Sequence, residues 1–231
     1  MTAPAAGGAS RLLRPLLAAV IAVALVLIGG GLAVALGIGQ QQTPGTDSVD
    51  AGFSRDMSRH HLQGVEMANL AASRSQDPEV LSLAFDISAT QTNQAGRMQG
   101  WLALWGLPAT SAETMTWMGG SHGHGSGSSQ MGSVAMDDMA MGPGGLMPGM
   151  ATEEELAELR SLSGPAFDVR FLQLMTRHHQ GGLEMAQYAG SHAIEPAVAT
   201  LARTIAETQT AEVTTMTDML AARGGAPLPA P

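Results

Sequence analysis

The strongest constraint on this chain is that it contains one pattern twice. Phe53, Met57, Arg59, His60, His61, Gly64, Glu66, Met67 and Ala68 recur as Phe171, Met175, Arg177, His178, His179, Gly182, Glu184, Met185 and Ala186, at a constant offset of 118 residues. The register holds without a gap through Pro78/Pro196, Ala84/Ala202, Ile87/Ile205, Gln91/Gln209 and Met98/Met216. Apolar residues at helical spacing on either side of each proline make the repeating unit a helix-turn-helix hairpin. A lone hairpin cannot bury its apolar stripe, so the two are expected to pack as a four-helix bundle with pseudo-twofold symmetry. Composition points the same way: aromatic residues make up only 3% of the chain, while alanine, leucine and methionine abound, which suits close-packed helices better than sheets. The predicted fold class is all-α.

Around this repeat the chain divides readily. Leu16 to Ile38 carries no charge over 23 residues, long enough as a helix to cross a hydrocarbon core of about 30 Å. Residues 1–39 are therefore expected to be a cytoplasmic stub and a transmembrane or signal-anchor helix. Arg11 and Arg14 place its N-terminal end in the cytoplasm and everything after Gln40 outside. The rival is a secreted protein whose signal is cleaved, since Ala33-Val34-Ala35 has the small residues of a cleavage site. Residues 40–49 form a linker, and the first hairpin occupies 50–106. A flexible insert rich in methionine, histidine and glycine covers 107–151, and a short acidic helix plus the second hairpin covers 152–225. Thr152 and Glu155 have the spacing of a capping box.

The absence of cysteine removes disulfides, thiolate metal sites and CxxC redox chemistry. From residue 40 onward nine arginines face twenty carboxylates, a net charge of -11. Such a field repels phosphate backbones and disfavours nucleic acid as a partner. No Walker loop, His-Glu-x-x-His or Gly-x-Gly-x-x-Gly motif is present, and no enzymatic activity is expected.

The chemistry lies in the repeat. Met57, His60, His61, Gly64 and Met67, and likewise Met175, His178, His179, Gly182 and Met185, follow the spacing of one helical stripe. On the second helix of each hairpin, Gln91, Gln94 and Met98 answer to Gln209, Glu212 and Met216. Thioether and imidazole without thiolate suit copper, above all Cu(I); zinc would recruit cysteine or more carboxylate, and calcium or magnesium would need oxygen. A di-iron bundle would carry paired Glu-x-x-His motifs, whereas Glu66 and Glu184 are followed at that spacing by Asn69 and Gln187. The candidate ligands are therefore Met57, His60, His61, Met67, Met98, Met175, His178, His179, Met185 and Met216. Gln91, Gln209, Glu212, Glu66 and Glu184 are candidates to orient them. Adjacent histidines on a helix point about 100° apart, so one of each pair can ligate while the other bonds a carboxylate such as Glu66 or Asp56.

The insert adds His122 and His124, a candidate chelating pair, and eight methionines between Met115 and Met150 that have no evident core to fill. The competing readings are a core-filling methionine stripe, a linker whose methionines have no role, a metal-free structural or sensory module that binds a protein, and a metal-dependent oxidoreductase.

These residues resemble the bacterial family called domain of unknown function 305, marked by Met-x-x-His-His-x-x-Ala-x-x-Met-Ala and, a helix later, Gln-x-x-Glu-x-x-x-Met. Here the pattern stands as Met57, His60, His61, Met67 and Ala68 with Gln91 and Met98, and as Met175, His178, His179, Met185 and Ala186 with Gln209, Glu212 and Met216. The resemblance covers roughly residues 50–106 and 165–223. It implies a ferritin-like four-helix fold, secretion or membrane attachment and, for some members, copper binding and copper resistance outside the cytoplasm. Gly64 and Gly182 stand where the family has alanine, and Gln94 stands where it has the glutamate retained as Glu212. The functional expectation is an extracytoplasmic protein that sequesters copper or hands it to a copper-handling partner.

Overall fold

The computed structural model describes residues 9–36, 43–119 and 145–229. They form six α-helices and one turn of 3-10 helix. The first helix, α1 (Ala9–Ala35), belongs to a unit of its own, and its 21-residue segment Pro15–Ala35 is long and apolar enough to cross a membrane.

The second unit begins at Pro44 and holds the two hairpins. The first is α2 (Val49–Arg74) with α3 (Pro78–Leu104); the second is α5 (Gly164–His192) with α6 (Pro196–Ala222). Local chemistry sets the ends. Ser48 accepts the Ala51 amide at the start of α2, and Asp77 accepts the Glu79 amide just ahead of Pro78, whose missing N–H costs nothing in a first turn. At the end of α3, Gly106 takes a φ of 68°, a left-handed conformation open to glycine, and the chain turns away. The short helix α4 (Glu153–Ser161) starts with both bonds of the Thr152–Glu155 capping box.

The helices α2 and α5 form the centre of the bundle and run antiparallel. The Asp50 carboxylate, at the start of α2, accepts the amides of Ile194 (3.2 Å) and Glu195 (2.8 Å) in the α5–α6 turn. Asp50→Ala is expected to destabilise the bundle by about 1–3 kcal/mol, because two amides lose a charged acceptor. A thermal melt that matches wild type would contradict this role.

This antiparallel crossing splits the core into two apolar clusters. One contains Met57 and Met98 from the first hairpin and Met185 from the second; the other contains Met175 and Met216 from the second and Met67 from the first. The clusters are related by the 118-residue repeat, and each draws on both hairpins.

The insert expected at 107–151 to be flexible, with methionines that fill no core, departs from that reading at both described ends. Trp117, Met118 and Met147 are buried in the cluster that contains Met57. The buried Asp56 carboxylate holds the first end by accepting the Met115 amide (2.7 Å) and the Trp117 indole N–H (2.8 Å). The other end, residues 146–151, is clamped by Gln63, which donates to the Ala151 carbonyl (2.9 Å) and accepts its amide (2.7 Å). The insert's ends are thus parts of the bundle's core. His122 and His124 lie outside the described residues.

Candidate metal centre

His60, His61, His178 and His179 are all fully buried where α2 crosses α5. The rings of His60 and His178, equivalent in the repeat, lie against each other with centroids 3.8 Å apart and planes tilted by 32°. Gly64 and Gly182 allow this approach. A Cβ at Gly64 would overlap the Gln91 amide and lie 3.1 Å from Cε1 of His178; one at Gly182 would lie about as close to Gln209 and to Cε1 of His60.

Hydrogen bonding fixes which ring nitrogen carries the proton, since a carbonyl oxygen can only accept. Nε2 of His60 donates to the Pro148 carbonyl (3.1 Å), and Nε2 of His178 donates to the His60 carbonyl (3.0 Å). Nε2 of His61 donates to Oε1 of Gln94 (2.7 Å). In all three rings Nδ1 therefore carries a lone pair, and in all three that buried atom has no protein partner. The side-chain amides of Gln91 and Gln209 are likewise buried and unpartnered. An unpaired buried polar atom costs about 1–3 kcal/mol, so this concentration of bare donors and acceptors is a poor apolar core and a fitting place for a metal or for water.

His179 differs. Its Nδ1 faces the Met175 carbonyl (3.0 Å) and its Nε2 faces the Glu212 carboxylate (2.8 Å), so neither nitrogen is free. The equivalent residues Gln94 and Glu212 occupy the same place and make the same contact. Both engage Nε2 of their histidine; the two rings differ at Nδ1, which faces the Met175 carbonyl in His179 and has no partner in His61.

Burial keeps the rings of His60, His61 and His178 neutral. His60 is pushed down to about 4 chiefly by desolvation, which the Pro148 carbonyl partly opposes. His61 is pushed down to about 3 by desolvation and the neighbouring His60, and His178 is driven well below the ordinary imidazole value by the same two causes. A histidine whose folded pKa lies below the unfolded value of 6.5 is protonated first in the unfolded chain as pH falls. Stability therefore falls with pH from about 6.5 down to about 4 and is insensitive to these groups above that window. His60 and His61 together are expected to cost a few kcal/mol at pH 5 relative to pH 8. Urea midpoints that do not fall between these pH values would contradict burial of the neutral rings. At neutral pH no proton competes for these lone pairs.

The methionines do not share one site. Met57 and Met67 lie in different clusters, as do Met175 and Met185. Ten residues of helix span about 15 Å, too far for both sulfurs to reach one ion. The expected single line of ligands is corrected to a central group of histidines with a thioether cluster on either side. Two expected orienting carboxylates are corrected as well: Glu66 pairs on the surface with Arg160, and Glu184 is exposed. The Asp56 carboxylate holds the insert, not a histidine. Glu212 does contact its histidine, whereas Gln91 and Gln209 touch none by hydrogen bond and face the centre unpartnered. Among the described residues no three histidine, aspartate or glutamate side chains converge as a metal site, so any ion held here depends on imidazole with thioether.

Sequence reasoning missed the segment Met147–Gly149, which crosses this centre and is buried. Its Pro148 carbonyl fixes the His60 tautomer, and it lies directly on Gly181. One signal was present: Gly181 is the repeat partner of Gln63, so the side chain that grips this segment on one hairpin is deleted where the segment needs room on the other.

Comparison with known proteins agrees with this architecture. A family model described as "Domain of unknown function (DUF305)" matches residues 50–220. A crystal structure of a DUF305 protein from Streptomyces coelicolor, described as secreted, is 42% identical, with a TM-score of 0.67 over 80% of this chain and 99% of that one. A DUF305 fragment from Deinococcus radiodurans is 31% identical, with a TM-score of 0.57 over 75% of this chain and 95% of that one. The protein CopM in its Cu(I)-bound form shares the fold at 21% identity, with a TM-score of 0.55 over 76% of this chain and 98% of that one. No curated protein matches the chain.

Proposed function

The chain belongs to the DUF305 family, and from that premise we propose that it is a copper-binding protein that holds Cu(I) outside the cytoplasm. The observation that carries this reading is the set of three buried imidazole lone pairs, on His60, His61 and His178, between two clusters of thioethers. Neutral nitrogen with neutral sulfur is the donor set of a soft monovalent ion, and a low charge suits a buried site better than a divalent cation without carboxylates. CopM, which has the same fold, is known in Cu(I)- and Cu(II)-bound forms. The apolar segment Pro15–Ala35 acts in this reading as a membrane anchor with the bundle on the outer side, so that copper is bound before it reaches the cytoplasm.

The role is sequestration or transfer to a copper-handling partner rather than catalysis. Among the described residues, the space between α3 and α6 beside Gln91, Gln94, Gln209 and Glu212 amounts to about 10 Å³, room for an ion or a water and not for an organic substrate. The test is competition of the full-length protein, in detergent, with a Cu(I)-specific chelator. Withdrawal of Cu(I) from the chelator, with little binding of Zn(II), is the expected result. Failure to compete would remove copper and leave a metal-free helical module.

A further inference from the structure

The two thioether clusters are equivalent by repeat and unequal in what surrounds them. Around Met67, Met175 and Met216 the space is filled by hydrocarbon, chiefly Phe167, Phe171, Leu156 and Leu172. Around Met57, Met98 and Met185, beside Phe53, Leu201 and Ile205, lie the two ends of the insert, which bring Trp117 and two more thioethers, Met118 and Met147, both almost fully buried. Among the described residues that end holds five buried thioethers against three. Asp56, whose repeat partner is Leu174, is buried beside the five-methionine cluster and accepts the Met115 amide and the Trp117 indole N–H; at the other end the buried carboxylate is Asp168. The same end contains His61, one turn from Met57, with its Nδ1 lone pair free, whereas His179, one turn from Met175, has none.

Core filling alone accounts for a methionine stripe at either end. It does not account for two further thioethers, Met118 and Met147, gathered at the one end whose histidine keeps a bare Nδ1. We propose that the cluster of Met57, Met98, Met185, Met118 and Met147 is a chamber for a soft monovalent cation, with Asp56 as its counter-charge, and that the opposite cluster is structural core. Polarizable thioethers give such an ion its coordination, and one nearby carboxylate offsets its charge in a low-dielectric interior. The insert's function is to complete this chamber: without Met118 and Met147 the two ends of the bundle would offer the same sulfurs.

This inference rests on the reading of the protein as a soft-metal binder and narrows it to one end. The test uses full-length protein in detergent, labelled with 13C at the methionine methyl groups and titrated with silver nitrate, Ag(I) serving as a redox-stable soft cation. The first equivalent is expected to shift the methyl signals of Met57, Met98, Met118, Met147 and Met185 and to leave Met67, Met175 and Met216 in place. Met118→Leu with Met147→Leu is expected to weaken Ag(I) binding by about tenfold or more, while Met219→Leu, a thioether packed against the opposite cluster, leaves it unchanged. These exchanges nearly conserve volume, and circular dichroism checks that each variant folds. If the first equivalent shifts the Met175 end, or if the Met118/Met147 variant binds as wild type does, the chamber is wrong while metal binding itself stands. Absence of Ag(I) binding to wild type would overturn both.

Discussion

Exchanging His60, His61 and His178 together for leucine is expected to lower the affinity for Cu(I) by about a hundredfold or more, whereas His179→Leu should change it far less. The difference follows from ring nitrogens, not from position, since all four rings are equally buried and all belong to the same repeated motif. Three keep an unpartnered Nδ1, and the fourth has both nitrogens engaged, by the Met175 carbonyl and the Glu212 carboxylate. Loss of a group that merely orients a metal ligand typically costs tenfold to a hundredfold, so loss of the three proposed ligands sets that range as a minimum. Leucine is chosen because it fills the space of imidazole without opening a cavity. The exchange leaves the carbonyls of Pro148 and His60 without a donor, at about 1–3 kcal/mol each, so a thermal melt must accompany each chelator titration. Equal losses for the three-histidine variant and for His179→Leu would refute the lone-pair argument.

The second large effect is mechanical. Gly181→Ala is expected to destabilise the bundle by about 1–3 kcal/mol, a fall in Tm of several degrees for a domain of this size. A Cβ at Gly181 would overlap the carbonyl of Pro148 and crowd the amide nitrogen of Gly149, and backbone atoms have no alternative rotamer. Relief requires the Met147–Gly149 segment to lift, which breaks the bond from His60 Nε2 to the Pro148 carbonyl and frees the ring to change tautomer. The nitrogen-15 signals of His60 should report that change even where the loss of stability is small. Gly96→Ala is the control: it lies exposed within α3, a Cβ there meets nothing, and alanine should stabilise the helix slightly. If both variants melt like wild type, the segment does not rest on α5 as described.

The fold was largely legible in the sequence because a repeat is a long-range signal. Its 118-residue offset states which helices are equivalent, and Pro78 and Pro196 state where each hairpin turns. The antiparallel crossing of α2 and α5 was not legible. Spacing along one helix places Met57 and Met67 on the same stripe, and only the partner helix decides that they face different clusters. The same limit applied to the carboxylates. Glu66 sits one residue from the buried Met67, yet it points outward to Arg160, because a step of about 100° carries a side chain off the inner face. Methionine-rich low complexity also concealed the anchored ends of the insert: Trp117 and Met118 have no periodicity to mark them, and their burial depends on an acceptor at Asp56, distant in sequence. The contrast of Gln94 with Glu212 could be read in advance, but both bond Nε2, and what separates His61 from His179 is a backbone carbonyl at Nδ1 that no residue type announces.

These features describe a bundle whose fold is symmetrical and whose interior is not. The repeat supplies two hairpins, two thioether clusters and two histidine pairs; Gln94, Asp56 and the insert then distinguish one half from the other. Anomalous diffraction at the copper absorption edge, from crystals of the full-length protein loaded with Cu(I), tests the central claim most directly. A peak inside the bundle, bonded to imidazole nitrogen and to thioether sulfur, is the expected result. Copper peaks confined to the exterior, or none at all, would contradict it.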